Sequence, residues 1–577
     1  MSRRGAVFAG AAVAAATAAL FVVSRGRWSD ALIDSGREWI VPDALARGAV
    51  LYRDVVYWFG PFTPYFQAAF LKLFGSGFPA LVLAGAAAAA VVLAVFHAVV
   101  RRVAGRSAAV VWTALAIPVL VFMPNAGGAL LGMGYRIWHA AGFALAAVAL
   151  ASRPPRARAR FLPWLGAVGA GACAGLSGLC RTEWGLAATA AAMLACLVRS
   201  RRRAAGARGA VFVGIGSLAV FGAGLGHFLR VAGIDAVLRD GHVLLTGLPP
   251  ETRHFLMAFS GIPDWKNGLL ELVYSAAMWG GVVALLAWLA WPRDSPRPRG
   301  LAVGLAAALV LLAVTALLGG AGGAVLYSAA PLVCLAGLWA GWRRGHGSPA
   351  AALTACGLLG LLLSYRRLFH IGDSAYVAPP LLFAFVSAAG LLHAAAASRR
   401  RGAERARLRA AFGAAVAAAV LAAFAGRLWQ YASFEAVPVD GTSGMLSASP
   451  ELAHELGELA AALRAAAPEP RGLVVFPEGE LLNSLSGLPN PIRHKLYLPG
   501  YLTSANEADV LRELEAARPS AIVLWRRPVS EYDRALFGED YGLSLRRWID
   551  ANYELEGFRA SGAPARANPR FVVGRRK

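Results

Sequence analysis

The chain has 577 residues, 58% of them hydrophobic and 16% charged, with a formal net charge of +24. A soluble domain is about 45–50% apolar and about 25% charged, so the apolar excess belongs in lipid. In a soluble protein such a positive balance would suggest a nucleic-acid partner, but the distribution of the charge along this chain excludes that class.

A membrane-spanning helix needs about 20 mostly apolar residues. Thirteen runs qualify, near 6–23, 79–100, 108–124, 137–152, 162–179, 184–198, 209–231, 271–291, 301–318, 323–341, 350–365, 376–397 and 410–428. The first, Ala-rich from Ala6 to Val23 behind Arg3-Arg4, has features of a signal peptide. A retained helix is expected instead, because the segment that follows works best when tethered at the membrane.

The loops alternate in charge. Seven segments (Arg3-Arg4, Arg101–Arg106, Arg153–Arg160, Arg199–Arg208, Arg293–Arg299, Arg343-Arg344 and Arg399–Arg409) hold 25 basic residues and only two acids, Asp294 and Glu404. The remaining 31 of the 33 acids lie elsewhere. Lys and Arg collect in cytoplasmic loops, so these seven segments are placed inside. Thirteen spans then put the N-terminus in the cytoplasm and the C-terminus outside. The predicted fold class is an α-helical polytopic membrane protein of about 13 transmembrane helices, residues 1–428, followed by a small extracytoplasmic α/β domain, residues 429–577. In that tail, helical patterns near 450–466 and 506–517 alternate with strand-like runs at Gly472–Phe476 and Ala521–Trp525. All five cysteines fall inside apolar runs and lack metal-site spacing, so neither a disulfide framework nor a zinc site is expected.

The first outer loop, 24–78, is the most informative stretch. Asp30, Asp34, Glu38 and Asp54 cluster beyond the first helix, and the i, i+4, i+8 spacing of the first three predicts one shared helical face. Like carboxylates on one face repel, so the stripe points to a cationic partner or a proton-handling role rather than a merely solvated face. Arg37, three residues after Asp34, joins the set, as does Tyr57.

This loop resembles the first periplasmic loop of the protein-mannosyltransferase-like glycosyltransferases, which include the aminoarabinose transferases of lipid A. Asp34 precedes Gly48 by fourteen residues; Tyr52-Arg53-Asp54, Gly60-Pro61 and Leu73-Phe74-Gly75 follow in the order those proteins show. Many of them carry Asp-Glu where this chain has Asp34-Ser35, with Glu38 four residues after Asp34, so the identity of a second carboxylate stays open. The tail's Pro477-Glu478-Gly479, Asn483 and Asn490-Pro491 also resemble that group.

The resemblance implies the GT-C fold and an inverting transfer of sugar from a polyprenyl phosphate to a lipid, glycan or protein hydroxyl at the outer face of the inner membrane. An Asp would act as general base. Asp34 is the candidate, with Asp30 and Glu38 in reserve. The leaving lipid phosphate needs cations, and Arg136, Arg181, Arg366, Arg367 and His370 sit at outward helix ends. Arg366-Arg367 runs against the charge alternation, and Arg forks suit phosphate. No cofactor is required; the acids admit a divalent ion, though no ligand spacing demands one. Arg253, His254, Asp264 and Lys266 of the second long loop carry no assignment. A non-enzymatic flippase of lipid-linked sugars would not need the acidic loop or the outer tail. A polysaccharide ligase usually relies on a late outer loop instead.

Overall fold

The structure, a computed structural model, describes residues 3–124, 127–132, 135–153, 164–200, 202–241, 249–260, a few positions between 265 and 276, 330–364, 374–398, 402–466, 472–562 and 568–577. The expected spans 271–291 and 301–318 lie largely outside these residues, as do Arg366, Arg367, His370 and Asp373.

The apolar runs form helices close to their expected limits: α1 (Arg3–Ser24), α4 (Phe78–Ala104), α5 (Arg106–Ala116, continued by a π turn to Val121), α6 (Tyr135–Ala151), α7 (Leu165–Cys180), α8 (Thr182–Arg199) and α9 (Arg203–Ala232). Beyond the second outer loop and its helix α10 (Pro250–Ser260) come α11 (Ala330–Arg343), α12 (Ser348–Leu363), α13 (Ser374–Ser398) and α14 (Gly402–Ala432). Among the described residues two helices, α4 and α9, are long and apolar enough to cross a membrane alone, and several shorter apolar helices accompany them.

The outer faces of the bundle are greasy. Val211, Ile215 and Leu218 of α9 are 60%, 53% and 74% exposed, and Trp339, Trp342, Leu421 and Trp429 are similarly bare. Apolar surface on that scale needs lipid to cover it, which makes this an integral membrane protein. The center is tight instead. Glycines 171 and 175 of α7 and Gly216 of α9 let the two backbones touch: a Cβ on Gly171 would lie 2.1 Å from the Val213 carbonyl oxygen. Small residues at such crossings substitute van der Waals contact for the hydrophobic drive that lipid removes. Helix α6 is buried along nearly its whole length.

The two ends of the bundle differ chemically. At one end, arginines of the basic loops cap helix C-termini, where carbonyls lack partners and the helix dipole is negative. Arg102 donates to the Ala149 carbonyl at 2.7 Å and Arg199 to Ala151 at 2.8 Å. At the other end, α6 begins with Tyr135-Arg136 beneath the first outer loop.

That loop folds into α2 (Ser35–Ala46) and α3 (Phe62–Phe74). The predicted acidic stripe does not form. Residues 31–34 are turn, the helix starts only at Ser35, and Asp30 and Asp34 therefore precede it. The cause is local: the Asp30 carboxylate accepts the backbone N–H groups of Leu32 and Ile33, both at 2.8 Å, and its carbonyl accepts the Ser35 hydroxyl. An Asp that binds nearby backbone competes with the helix.

The tail is an α/β domain around a four-stranded sheet in the order β3 (Leu473–Phe476), β4 (Ala521–Trp525), β6 (Phe571–Arg576), β5 (Tyr553–Phe558). A separate two-stranded ladder pairs β1 (Val437–Pro438) with β2 (Ser447–Ala448). Strands β3 and β4 are parallel, with Leu473 opposite Ala521; β6 runs antiparallel to both its neighbors. The expected helices appear at Pro450–Ala465 (α15) and Glu507–Ala517 (α17). Between them α16 (Leu481–Ser486) follows β3, and α18 (Leu543–Asn552) precedes β5.

Three outer segments are laced together. Arg493 of the tail donates to the carbonyls of Tyr52 at 2.8 Å and Arg53 at 2.7 Å, and meets Asp240 of the second loop at 2.9 Å. Thr252 donates to the Gly500 carbonyl at 2.8 Å.

Candidate active site

Asp34 is the residue before α2, at φ +65°. A non-glycine residue in this region is strained, and such strain persists only where the surroundings enforce it. Its carboxylate pairs with Arg37 one turn on, and the two side chains are 14% and 12% exposed. Ser35 is buried and bonds Ser29 at 3.0 Å, which fixes the turn.

Glu38 has a different partner from Asp34. It is buried and meets Arg136 of α6 at 3.1 Å, each side chain only 3% exposed. Arg136 also donates to the Tyr57 hydroxyl at 3.4 Å and lies 3.8 Å from the center of the Phe59 ring. Burial pushes the Glu38 carboxyl up, while Arg136 and then Arg37 pull it down. Gln67 and His139 line the same interior, with Thr63 2.9 Å from His139 Nδ1.

Arg181, between α7 and α8, approaches the same ring at 5.6 Å and pairs with Glu183 at 2.5 Å. Gly60 makes this meeting possible, because a Cβ there would lie 2.0 Å from the Leu179 carbonyl oxygen. Two guanidiniums from two helix ends thus converge on one aromatic ring of the first loop, a cation–π arrangement that concentrates positive charge beside the loop's acids.

Asp54 sits elsewhere. Its carboxylate accepts the Val50 N–H at 2.8 Å and the Arg53 guanidinium at 2.8 Å, which holds it below the ordinary carboxylate range. Tyr52, at φ +67°, is fully buried and donates to the Phe59 carbonyl at 2.7 Å. The Tyr-Arg-Asp segment therefore shapes the loop.

The tail closes over Asp34. Gly36 of α2 lies flat against the turn after β3: a Cβ on it would be 2.1 Å from the Leu481 nitrogen and 2.6 Å from the Glu480 carbonyl carbon. This brings Glu478 and Glu480, both 2% exposed, toward Asp34 and Arg37. Glu478 pairs with Arg527 at 2.6 Å. The two partners each stand two residues past the carboxyl end of a parallel strand, the edge where open α/β sheets place ligands. Burial pushes Glu478 up to about 8, opposed by Arg527, and Glu480 up to about 7. Tyr501 stacks on Trp58 of the first loop at 4.1 Å.

The structure therefore brings Asp34, Arg37, Glu38, Tyr57, Arg136 and Arg181 into one region, while the carboxylates of Asp30 and Asp54 are engaged by backbone N–H groups and, for Asp54, by Arg53. Sequence reasoning missed Glu480, Arg527, Phe59 and Trp58. The Pro-Glu-Gly turn was visible as a motif, but no local pattern says that it packs on Gly36. Among the described residues no group of three or more His, Cys, Asp or Glu side chains is arranged to hold a metal ion.

No family model matches the chain. No curated protein matches it either. Solved structures do. ArnT from Cupriavidus metallidurans in the apo state is 13% identical and superposes with a TM-score of 0.52, over 99% of this chain and 98% of that one. The same protein bound to undecaprenyl phosphate is 15% identical with a TM-score of 0.50, over 99% and 98%. The likeness extends over nearly the whole of both chains, and the chain has the GT-C fold.

Proposed function

We propose that this protein transfers a sugar from a polyprenyl-phosphate carrier to an acceptor hydroxyl, at the outer face of the cytoplasmic membrane, with Asp34 as general base. One observation carries this reading. A carboxylate on a strained turn, 14% exposed and paired with Arg37, stands just before Glu38, whose partner Arg136 converges with Arg181 on Phe59, and the tail packs on the adjoining Gly36. The fold is shared with a protein whose structure holds undecaprenyl phosphate.

Asp34 takes the proton of the acceptor hydroxyl as its oxygen bonds the anomeric carbon; the bond from that carbon to the phosphate oxygen breaks, with inversion. Arg37 orients the carboxylate. Arg181 meets the lipid phosphate, with Arg366, Arg367 and His370 proposed from sequence as further partners. Arg136 holds Glu38 and the loop around Phe59, a positioning role closer than direct phosphate contact to its 2% exposure. A divalent ion is not needed for these steps. The basic helix ends face the cytoplasm and the tail faces outward.

Mass spectrometry of envelope glycolipids and glycans from cells with and without the protein tests this. A glycan missing one sugar, with its lipid-linked donor accumulating, is expected. An unchanged glycan profile in the deletion strain contradicts it.

A further inference from the structure

The two faces of the tail's four-stranded sheet are covered differently. Side chains alternate along a strand, so the register puts Ala521, Val523, Val573 and Arg575 on one face and Ile522, Leu524 and Val572 on the other. The second face packs on α17 and α18 through Val510, Leu514, Leu545 and Ile549. The first face meets α15, and between that helix and the outer strands β5 and β6 a groove of about 890 Å³ stays open. Leu459 and Leu463 of α15 and Val573 of β6 give it an apolar wall. Four arginines line it: Arg518 between α17 and β4, Arg575 and Arg576 at the end of β6, and Arg559 just past β5. All four are exposed. Glu556 is the one acid among the described lining residues, and Glu554 stands opposite Arg575 across the strands, so positive charge is in excess.

We propose that this groove binds an anionic oligosaccharide, a sugar chain bearing carboxylates or phosphates, at a second site apart from Asp34. The charge is spread along the strands: Tyr553 pairs with Arg576 and Phe558 with Phe571, so Arg575-Arg576 and Phe558-Arg559 mark opposite ends of the β5–β6 pair. At the rise of a strand those ends are about 15 Å apart. A lone ion cannot span that distance, whereas an extended chain of repeated charges can. Guanidinium forks suit carboxylate and phosphate, and the half-buried Phe558 with the apolar wall suits the C–H faces of sugar rings. A lipid surface fits less well. Among the described residues past α14, the large exposed apolar side chains are Phe434, Val437 and Leu543, and none of them lines the groove, while a face that docks on a bilayer needs such side chains. The groove also shares no residue with the surroundings of Asp34. Glu478 and Glu480 follow the carboxyl end of β3, and Arg518 and Ser520 precede the amino end of β4. Binding in the groove does not depend on the role of Asp34; taken with sugar transfer there, it keeps a glycan on the enzyme.

The test is calorimetric titration of the purified full chain, in uncharged detergent, with a galacturonate oligomer. The same oligomer with its carboxylates methyl-esterified is the neutral control. The acid form is expected to bind, and the ester to bind at least about tenfold more weakly. The double variant Arg575→Gln, Arg576→Gln is expected to weaken binding of the acid form by about 10- to 100-fold. Its melting temperature is expected to stay that of wild type, because both side chains are exposed. Ala462→Trp keeps every charge but fills the groove, and is expected to weaken binding by at least about tenfold.

No binding of the galacturonate oligomer, equal binding of its ester, or wild-type affinity in the double arginine variant overturns the proposal. So does tighter binding of an oligoglutamate peptide or of monomeric dihexanoyl phosphatidylglycerol, which would give the groove to a protein or a lipid. Asp34→Asn is expected to bind the oligomer as wild type does, and a loss of binding there overturns the separation of the two sites. Full sugar transfer by Asp34→Asn defeats the base assignment alone and leaves the groove standing.

Discussion

Gly36 of the first outer loop and Glu480 of the tail are in backbone contact, so close that a Cβ on Gly36 would be 2.6 Å from the Glu480 carbonyl carbon. Residues 444 positions apart in sequence thus form one surface. Backbone atoms cannot step aside as a flexible side chain does. Gly36→Ala is expected to destabilize the docked tail by about 1–3 kcal/mol and to open it to limited proteolysis. Gly222→Ala, where nothing lies within 4 Å, is the control and should leave the proteolysis pattern unchanged.

The Glu38–Arg136 pair makes an asymmetric prediction. Both side chains are 3% exposed, so each depends on the other. Removing one partner of a buried pair costs about 3–5 kcal/mol. Glu38→Leu should reach that figure, because an arginine cannot shed its proton. Arg136→Met should cost less, because Glu38, already pushed up by burial, can take up a proton and become neutral. Thermal unfolding in detergent ranks the two. Equal losses would mean that the pair is not buried as described.

The tail interface should also respond to pH. Glu480 is raised from 4.5 to about 7, chiefly by burial. The folded state therefore binds more protons than the unfolded one across that interval, and its stability falls as pH rises through it. The melting temperature of the full chain is expected to decline between those two values and to decline less steeply in Glu480→Gln. A melting temperature that rises over the same interval would reverse the sign and contradict the buried, protonated carboxyl.

Much of this was legible in the sequence, and the reasons are physical. Apolar runs and loop charges locate helices because lipid leaves the chain few alternatives, and the helix limits at Phe78–Ala104 and Tyr135–Ala151 follow closely. The tail's strands at Leu473 and Ala521 were visible as short apolar runs. The helical stripe of Asp30, Asp34 and Glu38 failed because side-chain capping by Asp30 outweighed periodicity. The pairing of Glu38 with Arg136 spans 98 residues, and no local pattern encodes it. Glu480 was hidden for the same reason: its partner surface is Gly36, a residue with no side chain to signal an interface.

The central claim is that Asp34 takes the acceptor's proton during sugar transfer. Purified Asp34→Asn, inserted and folded as wild type by its melting curve, is assayed with a polyprenyl-phosphate-linked sugar and the acceptor that the envelope comparison identifies. A loss of about 100- to 10,000-fold in kcat with donor binding retained is the predicted result. Wild-type turnover by this variant would contradict the account.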